Sequence, residues 1–345
     1  MNAMSSNARL AENRFPSEIP TRMFAAVLRE YGDPTRLELE EVDVPTVPAG
    51  AVLVRVRAAG LHKGTVHLMS GTPYLVRAMG FGLMRPKQPI PGDELAGVVV
   101  SVGEGVSGYE VGDRVFGITT GALAQYAVVD PSMLAPMPDS LSFSEAASLP
   151  VSAGAAGHAF DKVEPSLDGA QVLILGASGG VGAYAVQLAV NAGATVTAVC
   201  SGAKSEFVAS LGAHEVLDYR TTEVTNQARQ FDVILDIGGN RPTRAMQRIL
   251  SPDGTLVYVG GNGGAWFGGI GRAIMGSLKS AFSKQTLCMY FSEPDGADIA
   301  ELVERVQRGE LRAMVDRTYS LADSCAAFRS LMAGEACGKL VVEVE

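Results

Sequence analysis

Residues 171–189 read QVLILGASGGVGAYAVQLA, and this stretch constrains the fold more than any other part of the chain. The largely apolar run Gln171–Leu175 suits a fully buried strand, and residues 181–192 have the Ala-rich texture of a helix. Between them stand Gly176, Gly179 and Gly182, each with its own physical reason. The first permits a tight turn, the second lets backbone amides approach a pyrophosphate, and the third lets the helix pack closely on the strand. Ser178, Gly180 and Val181 complete the loop, and the helix N-terminus adds partial positive charge toward the phosphates. A glycine triplet alone is only a tight turn. Set between strand and helix, with a second strand following, it predicts dinucleotide binding.

The strand–helix alternation continues downstream. A strand is expected over 195–200 (TVTAVC), a helix over 205–211, and strands over 215–217 and 231–237 (FDVILDI). A turn at 251–254 leads into a strand over 255–260 (TLVYVG). This alternation predicts a doubly wound parallel sheet of right-handed βαβ units. Upstream the texture differs, with short β-type runs at 52–56, 97–102, 113–116 and 126–129 separated by Gly and Pro turns. A helix over 297–308 and a strand over 339–344 (KLVVEV) close the chain. The expected organisation is an α/β chain with a flexible leader over 1–21 and a mostly β domain over 22–143. A nucleotide-binding domain then spans 144–291, and residues 292–345 return to the first domain. A length of 345 residues suits two such domains.

The second strand bears on the choice of dinucleotide. An NAD site places Asp or Glu about 20 residues past the glycines to hold the ribose hydroxyls. Here the strand ends Cys200–Ser201–Gly202–Ala203–Lys204, without an acid. Ser201 and Lys204 are suited to a 2′-phosphate, with Tyr219 closing the other side, so NADPH is the expected cofactor. The competing reading of Lys204 is a solvated lysine at a helix start.

Charge and cysteine usage exclude other classes. The net charge of −9 leaves no basic face for nucleic acid. The four cysteines, Cys200, Cys288, Cys325 and Cys337, contain no CxxC pair and form no disulfide framework, which suits a reducing cytoplasm. The first 20 residues lack an apolar core of the secretory type, and the apolar stretch near 268–282 is interrupted by Arg272 and Lys279, so no integral membrane segment is expected.

Several motifs together resemble the medium-chain dehydrogenase/reductase superfamily, in its zinc-independent quinone-oxidoreductase branch. They are PGDELAGVVVSVGEGVSGYEVGDRVFG (91–117), EAASLP (145–150), GASGGVG (176–182), SLGAHEVLDYR (210–220) and GKLVVEV (338–344). The resemblance implies a GroES-like catalytic domain beside a Rossmann domain, a cleft between them and a homodimer. It also implies a small-molecule substrate, a quinone or an α,β-unsaturated carbonyl. The short-chain alternative needs Tyr-x-x-x-Lys, and none of the nine tyrosines has a lysine four residues on. With no cysteine before Cys200, the four-Cys zinc lobe of alcohol dehydrogenases cannot form. At the catalytic-zinc positions the resemblance places His62, Asp93, Glu94 and Ser152, read here as a turn in a zinc-free enzyme rather than as a metal site.

Hydride addition to a quinone or enone creates a delocalised anion that needs hydrogen bonds and a proton, not a Lewis acid. The quinone-reductase pattern carries Asn, Asp and Tyr where this chain has His62, Thr65 and His67. His67 is the leading proton donor, His62 the second and Tyr74 a further cleft candidate. The competing reading has both imidazoles only packing. Ala155 stands where relatives place a threonine near the nicotinamide. Val259, Gly260, Gly261 and the Gly338–Lys339 pair are expected to offer backbone groups to that end of the cofactor. The segment 266–282 places Ile270, Ile274, Leu278 and Phe282 on one helical stripe, read as a core or dimer-interface helix in preference to a substrate mouth or membrane patch. Two rival functions stay open: an alcohol dehydrogenase, metal-bound or not, and a catalytically silent NADPH-binding protein.

Overall fold

The computed structural model describes residues 18–74, 77–163, 166–239, 241–260, 283–289 and 295–345. Most of the expected leader, Gly261 and the stripe over 266–282 lie outside the described residues.

The first β-rich part opens with an antiparallel ribbon of β1 (Arg22–Val27) and β2 (Glu38–Asp43). Next come β3 (Val52–Leu61), β4 (Glu94–Val102), β5 (Arg114–Ile118), β6 (Tyr126–Val129) and β7 (Leu134–Pro136). β3 runs beyond the expected 52–56 because its second half keeps pairing with β4, as far as Gly60 opposite Glu94. A Cβ at Gly60 would lie 2.2 Å from the Ala147 carbonyl and 2.6 Å from Glu94 Oε1. Only glycine lets those groups close in on the strand. Helix α1 (Lys63–Ser70) follows β3 and ends at Gly71, whose φ of 60° is a left-handed stop. Helices α2 (Phe143–Ala147) and α3 (Pro150–Phe160) lead out of the domain, α2 starting in a Ser142–Glu145 capping box.

The nucleotide-binding sheet has six parallel strands: β8 (Gln171–Leu175), β9 (Thr195–Cys200), β10 (Glu215–Asp218), β11 (Phe231–Asp236), β12 (Leu250–Tyr258) and β13 (Thr286–Met289). Helices α4 (Gly180–Asn191), α5 (Ser205–Ser210) and α6 (Thr243–Ile249) alternate with them. The spatial order β10-β9-β8-β11-β12-β13 reverses between β8 and β11, and the ligand crevice of such sheets opens at that switch point. β12 starts earlier than the expected residue 255. Leu250 pairs with Phe231, then the register jumps to Thr255 opposite Val233, so the turn at 251–254 is carried as a loop within the strand.

After α7 (Gly296–Gln307), strand β14 (Val315–Ser320) and helix α8 (Ser324–Ala333), the chain ends with β15 (Lys339–Glu343). β15 pairs parallel with β14 and antiparallel with β3, Leu340 opposite Leu61, completing the sheet β14-β15-β3-β4-β5-β7 with β6 on β3. The nucleotide-binding sheet is therefore inserted between two parts of one β-rich domain. A single apolar core joins the two, with Ala58, Ala96 and Phe116 in one cluster with Ala156, Tyr184 and Val341. The fully buried Tyr184 hydroxyl lies 2.9 Å from Ser148 Oγ and accepts from the Met314 amide at 3.2 Å. Burial drives its pKa upward. Among the described residues no helix is long and apolar enough to cross a membrane.

Candidate active site

The glycine loop has the shape its spacing predicts. Gly176 takes φ +85°, and its amide donates to the Val199 carbonyl at 3.0 Å, fixing the turn to the neighbouring strand. A Cβ at Gly182 would fall 2.2 Å from the Gly176 carbonyl oxygen and 2.7 Å from Ala177 Cα, so helix and strand pack as closely as backbone allows. A Cβ at Gly179 would meet only the Gly176 carbonyl, at 3.7 Å. Gly179 is also the N-cap of α4 and makes no side-chain cap hydrogen bond. Open space over Gly179 and an uncapped helix start through Gly180, Val181 and Gly182 fit a pyrophosphate. The Ser178 carbonyl accepts from the Gly338 amide at 2.9 Å, which ties the loop to the start of β15.

At the end of β9, the Tyr219 amide donates to the Cys200 carbonyl at 3.1 Å, bringing Ser201, Lys204 and the half-exposed Tyr219 together. Lys204 is not simply solvated. Its Nζ donates to the carbonyls of Gly334 and Ala336 at 2.7 and 2.6 Å, just past α8. Asp218 also belongs here: a Cβ at Gly202 would lie 2.5 Å from Asp218 Oδ2. A search of the second strand for an acid misses it, because Asp218 ends the third strand, where it pairs with Cys200.

Between the domains lies a polar knot. Lys339 and Glu94 are fully buried and joined by a short salt bridge. Lys339 Nζ also donates to Ser152 Oγ at 3.1 Å, while the Val151 amide donates to Glu94 Oε2 at 3.0 Å. The Lys339 stem lies against the helix start, since a Cβ at Gly180 would be 2.9 Å from its Cδ. Next to Glu94, Asp93 Oδ2 accepts from Thr65 Oγ1 at 2.7 Å, and His62 Nε2 lies 3.0 Å from the same oxygen. Burial pushes the Asp93 carboxyl up, but the hydrogen bonds from His62 and Thr65 and the nearby charges of His62 and Lys339 outweigh it and hold it below the usual range. A Cβ at Gly64 would press on His62 Nδ1 and Cε1 at 2.8 Å, so the ring can lie this close to the helix start only because residue 64 is glycine.

The four residues at metal-ligand positions are thus engaged with one another and with the Lys339 ammonium. Among the described residues no three His, Cys, Asp or Glu side chains converge on a metal-sized site. His67 stands apart from the knot: it is exposed at the other end of α1, and its Nδ1 lies 2.9 Å from the Thr72 carbonyl. Tyr74 is exposed, with the Arg77 guanidinium 4.9 Å from its ring centroid. Val259 and Gly260 follow β12, and their amides donate to the Asp236 carbonyl at 3.1 and 3.3 Å. The Lys339 side chain is the residue that sequence reasoning, which used only its backbone, undervalued. Its signal was a lone cation opening an apolar terminal strand.

Residues 48–139 match the alcohol dehydrogenase GroES-like domain family, and residues 211–342 match the zinc-binding dehydrogenase family. The chain is 32% identical to the chloroplast envelope quinone oxidoreductase homolog of Arabidopsis thaliana, across 93% of this chain and 98% of that one. It is equally 32% identical to the mitochondrial NAD(P)H oxidoreductase RTN4IP1 of Mus musculus, across 94% and 90% of the two chains. Among solved structures, the CurK enoyl reductase superposes with a TM-score of 0.83 at 27% identity, covering 94% of this chain and all of that one. With a Rossmann sheet, a GroES-like domain and the glycine loop tied to both, the chain is a medium-chain dehydrogenase/reductase. Within that superfamily it belongs to the quinone-oxidoreductase-like branch, and the family implies a nicotinamide cofactor.

Proposed function

We propose that the protein is a zinc-independent, NADPH-dependent reductase of a quinone or an α,β-unsaturated carbonyl. The observation that carries this reading is the His62–Asp93–Thr65 cluster beside the buried Lys339–Glu94 pair, whose lysine lies against the glycine-loop helix. Gly179, Gly180, Val181 and Gly182 would hold the pyrophosphate, with Ser201, Lys204 and Tyr219 around the adenosine ribose. Two of the three Lys204 N–H donors are committed to carbonyls, which leaves one for a 2′-phosphate oxygen. Bound there, a reduced nicotinamide supplies the hydride. The chain's own task is to stabilise and protonate the resulting oxyanion. Asp93 holds His62 through Nε2, and the Nδ1 edge beside Gly64 is the proton-donating face. Lys339 occupies the ground a metal would need: its ammonium neutralises Glu94 and repels a second cation. The enzyme names of the relatives and of the CurK neighbour support the reaction class, and the family resemblance supports a homodimer.

The test pairs histidine variants in chelator-treated enzyme. His62→Ala is expected to lower turnover with quinones or enones about a hundredfold, within the range of general acid catalysis, while His67→Ala leaves it within about twofold. Equal turnover in both variants would remove His62 from the mechanism, and activity that vanishes with chelator and returns with zinc would overturn the metal-free reading. Lys204→Ala is expected to weaken NADPH binding by about tenfold more than NADH binding, the value of one charge-assisted hydrogen bond. Equal losses would make Lys204 only a tie between domains.

A further inference from the structure

From Val44 to Gly92 the chain carries no Asp or Glu, yet it carries Arg55, Arg57, Lys63, Arg77, Arg85 and Lys87, in a protein of net charge −9. Within this stretch lie the two most exposed large apolar side chains among the described residues, Met84 at 89% and Leu83 at 70%, with Met79 at 61% and Phe81 at 45% nearby in sequence. Exposure of this kind is costly in water and marks a contact surface.

The segment is a built loop. The Lys87 amide donates to the Phe81 carbonyl at 2.8 Å, closing a turn whose tip is Leu83, Met84 and Arg85. Gly82 takes φ +111°, and a Cβ there would lie 2.1 Å from the Arg85 carbonyl oxygen, so the turn requires glycine. The Tyr31 hydroxyl lies 2.9 and 2.6 Å from the carbonyls of Phe81 and Gly82, anchoring the base to the domain. Arg77 donates to the Gly71 carbonyl at 2.8 Å and stacks on Tyr31, 4.4 Å from its ring centroid. The apolar tip is thus held out on a fixed stem, and little conformational freedom remains to be lost on docking.

We infer that this loop docks the enzyme on an anionic lipid surface. Leu83 and Met84 would enter the acyl boundary, with Arg85 and Lys87 at the headgroups. A protein of net charge −9 is repelled by such a surface unless cations stand at the point of contact, and here Arg85 and Lys87 follow directly on Leu83 and Met84. Among the described residues neither Arg85 nor Lys87 forms an ion pair, so both charges remain available. The inference goes beyond the proposed reaction and stands without it.

Flotation of the full-length protein with phosphatidylcholine vesicles, with and without phosphatidylglycerol, tests it. Binding to the anionic vesicles is expected, with little to the neutral ones and release at high salt. The Leu83→Ser/Met84→Ser and Arg85→Glu/Lys87→Glu variants are each expected to bind at least about tenfold more weakly. Turnover with a soluble short-chain quinone, measured in parallel, reports the proposed reaction separately. Flotation independent of anionic lipid, or unaltered in both variants, would overturn the inference. A smaller sedimentation coefficient for Leu83→Ser/Met84→Ser would assign the loop to a second copy of the chain and overturn it equally.

Discussion

Two alanine substitutions in one loop separate binding from folding. At Gly179 the backbone angles, φ −82° and ψ 175°, are open to any residue, and an added methyl meets nothing closer than 3.7 Å. Alanine there reduces the freedom of the unfolded chain, worth about 0.4–1 kcal/mol, and removes a favourable N-cap residue, a loss of similar size. The stability of Gly179→Ala should therefore stay within about 0.5 kcal/mol of wild type. Its methyl nevertheless occupies the space through which a pyrophosphate reaches the amides of α4. Losing one hydrogen bond to a charged oxygen costs about 1.5–3 kcal/mol, roughly a ten- to hundredfold rise in the Kd for NADPH. Gly182→Ala is the opposite case. Its methyl would sit 2.2 Å from a backbone oxygen that no rotamer change can move, an overpacking cost of at least about 2 kcal/mol. For a chain of this length that lowers the melting midpoint by about 3 °C or more. Nucleotide fluorescence titration and thermal melts on both variants read the two effects independently. Gly179→Ala binding NADPH as wild type, or melting as early as Gly182→Ala, would refute the assignment of roles within the loop.

Lys339→Met leaves the Glu94 carboxylate buried with the Val151 amide as its remaining partner, and should cost about 3–5 kcal/mol in urea unfolding. Adding Glu94→Gln removes the stranded charge and should recover about half of that loss; no recovery would show that the pair does not hold the domains together. Asp93 carries a testable pH dependence. Its folded pKa lies below its ordinary 3.8, so the stability it contributes is fully present above that value and disappears as pH falls through the lower folded pKa. The stability gap between wild type and Asp93→Asn should accordingly be constant from pH 7 to about 4.5 and close below about pH 3.5, as read by urea titrations at each pH.

What the sequence makes legible follows the range of the interactions involved. β6, β8 and β9 have the bounds their apolar runs predict, because a short buried strand is written in adjacent residues. The glycine loop is equally local: the three spacings are enough to assign the turn, the open approach and the close packing. The reacting end is written in pairs that lie far apart. Lys339 and Glu94 are separated by 245 positions, and Lys204 meets carbonyls 130 and 132 positions away. No window of the sequence holds both halves of either contact. The same limit explains the order of the histidines. The family pattern puts His67 ahead of His62 because it carries no information on environment, and the Asp93 carboxylate, just before β4, separates the ring held in the knot from the one left at the surface.

Those long separations also fix when the site can exist. β15 comes after the other described strands in chain order, yet it lies inside the sheet, between β14 and β3. Its first residue neutralises Glu94, and the glycine before it donates to the Ser178 carbonyl of the nucleotide loop. Until that strand is in place, Glu94 has no cation, the loop has no tie to the β-rich domain, and the Met314 carbonyl has no Lys339 amide to accept from. Closing the sheet and completing the site are therefore one event. A chain truncated before Gly338 should lose the joint core and the cofactor cleft together, not retain a nucleotide-binding fold with a damaged active site. Calorimetry of such a truncation showing a preserved cooperative transition with NADPH-dependent stabilisation would contradict that coupling.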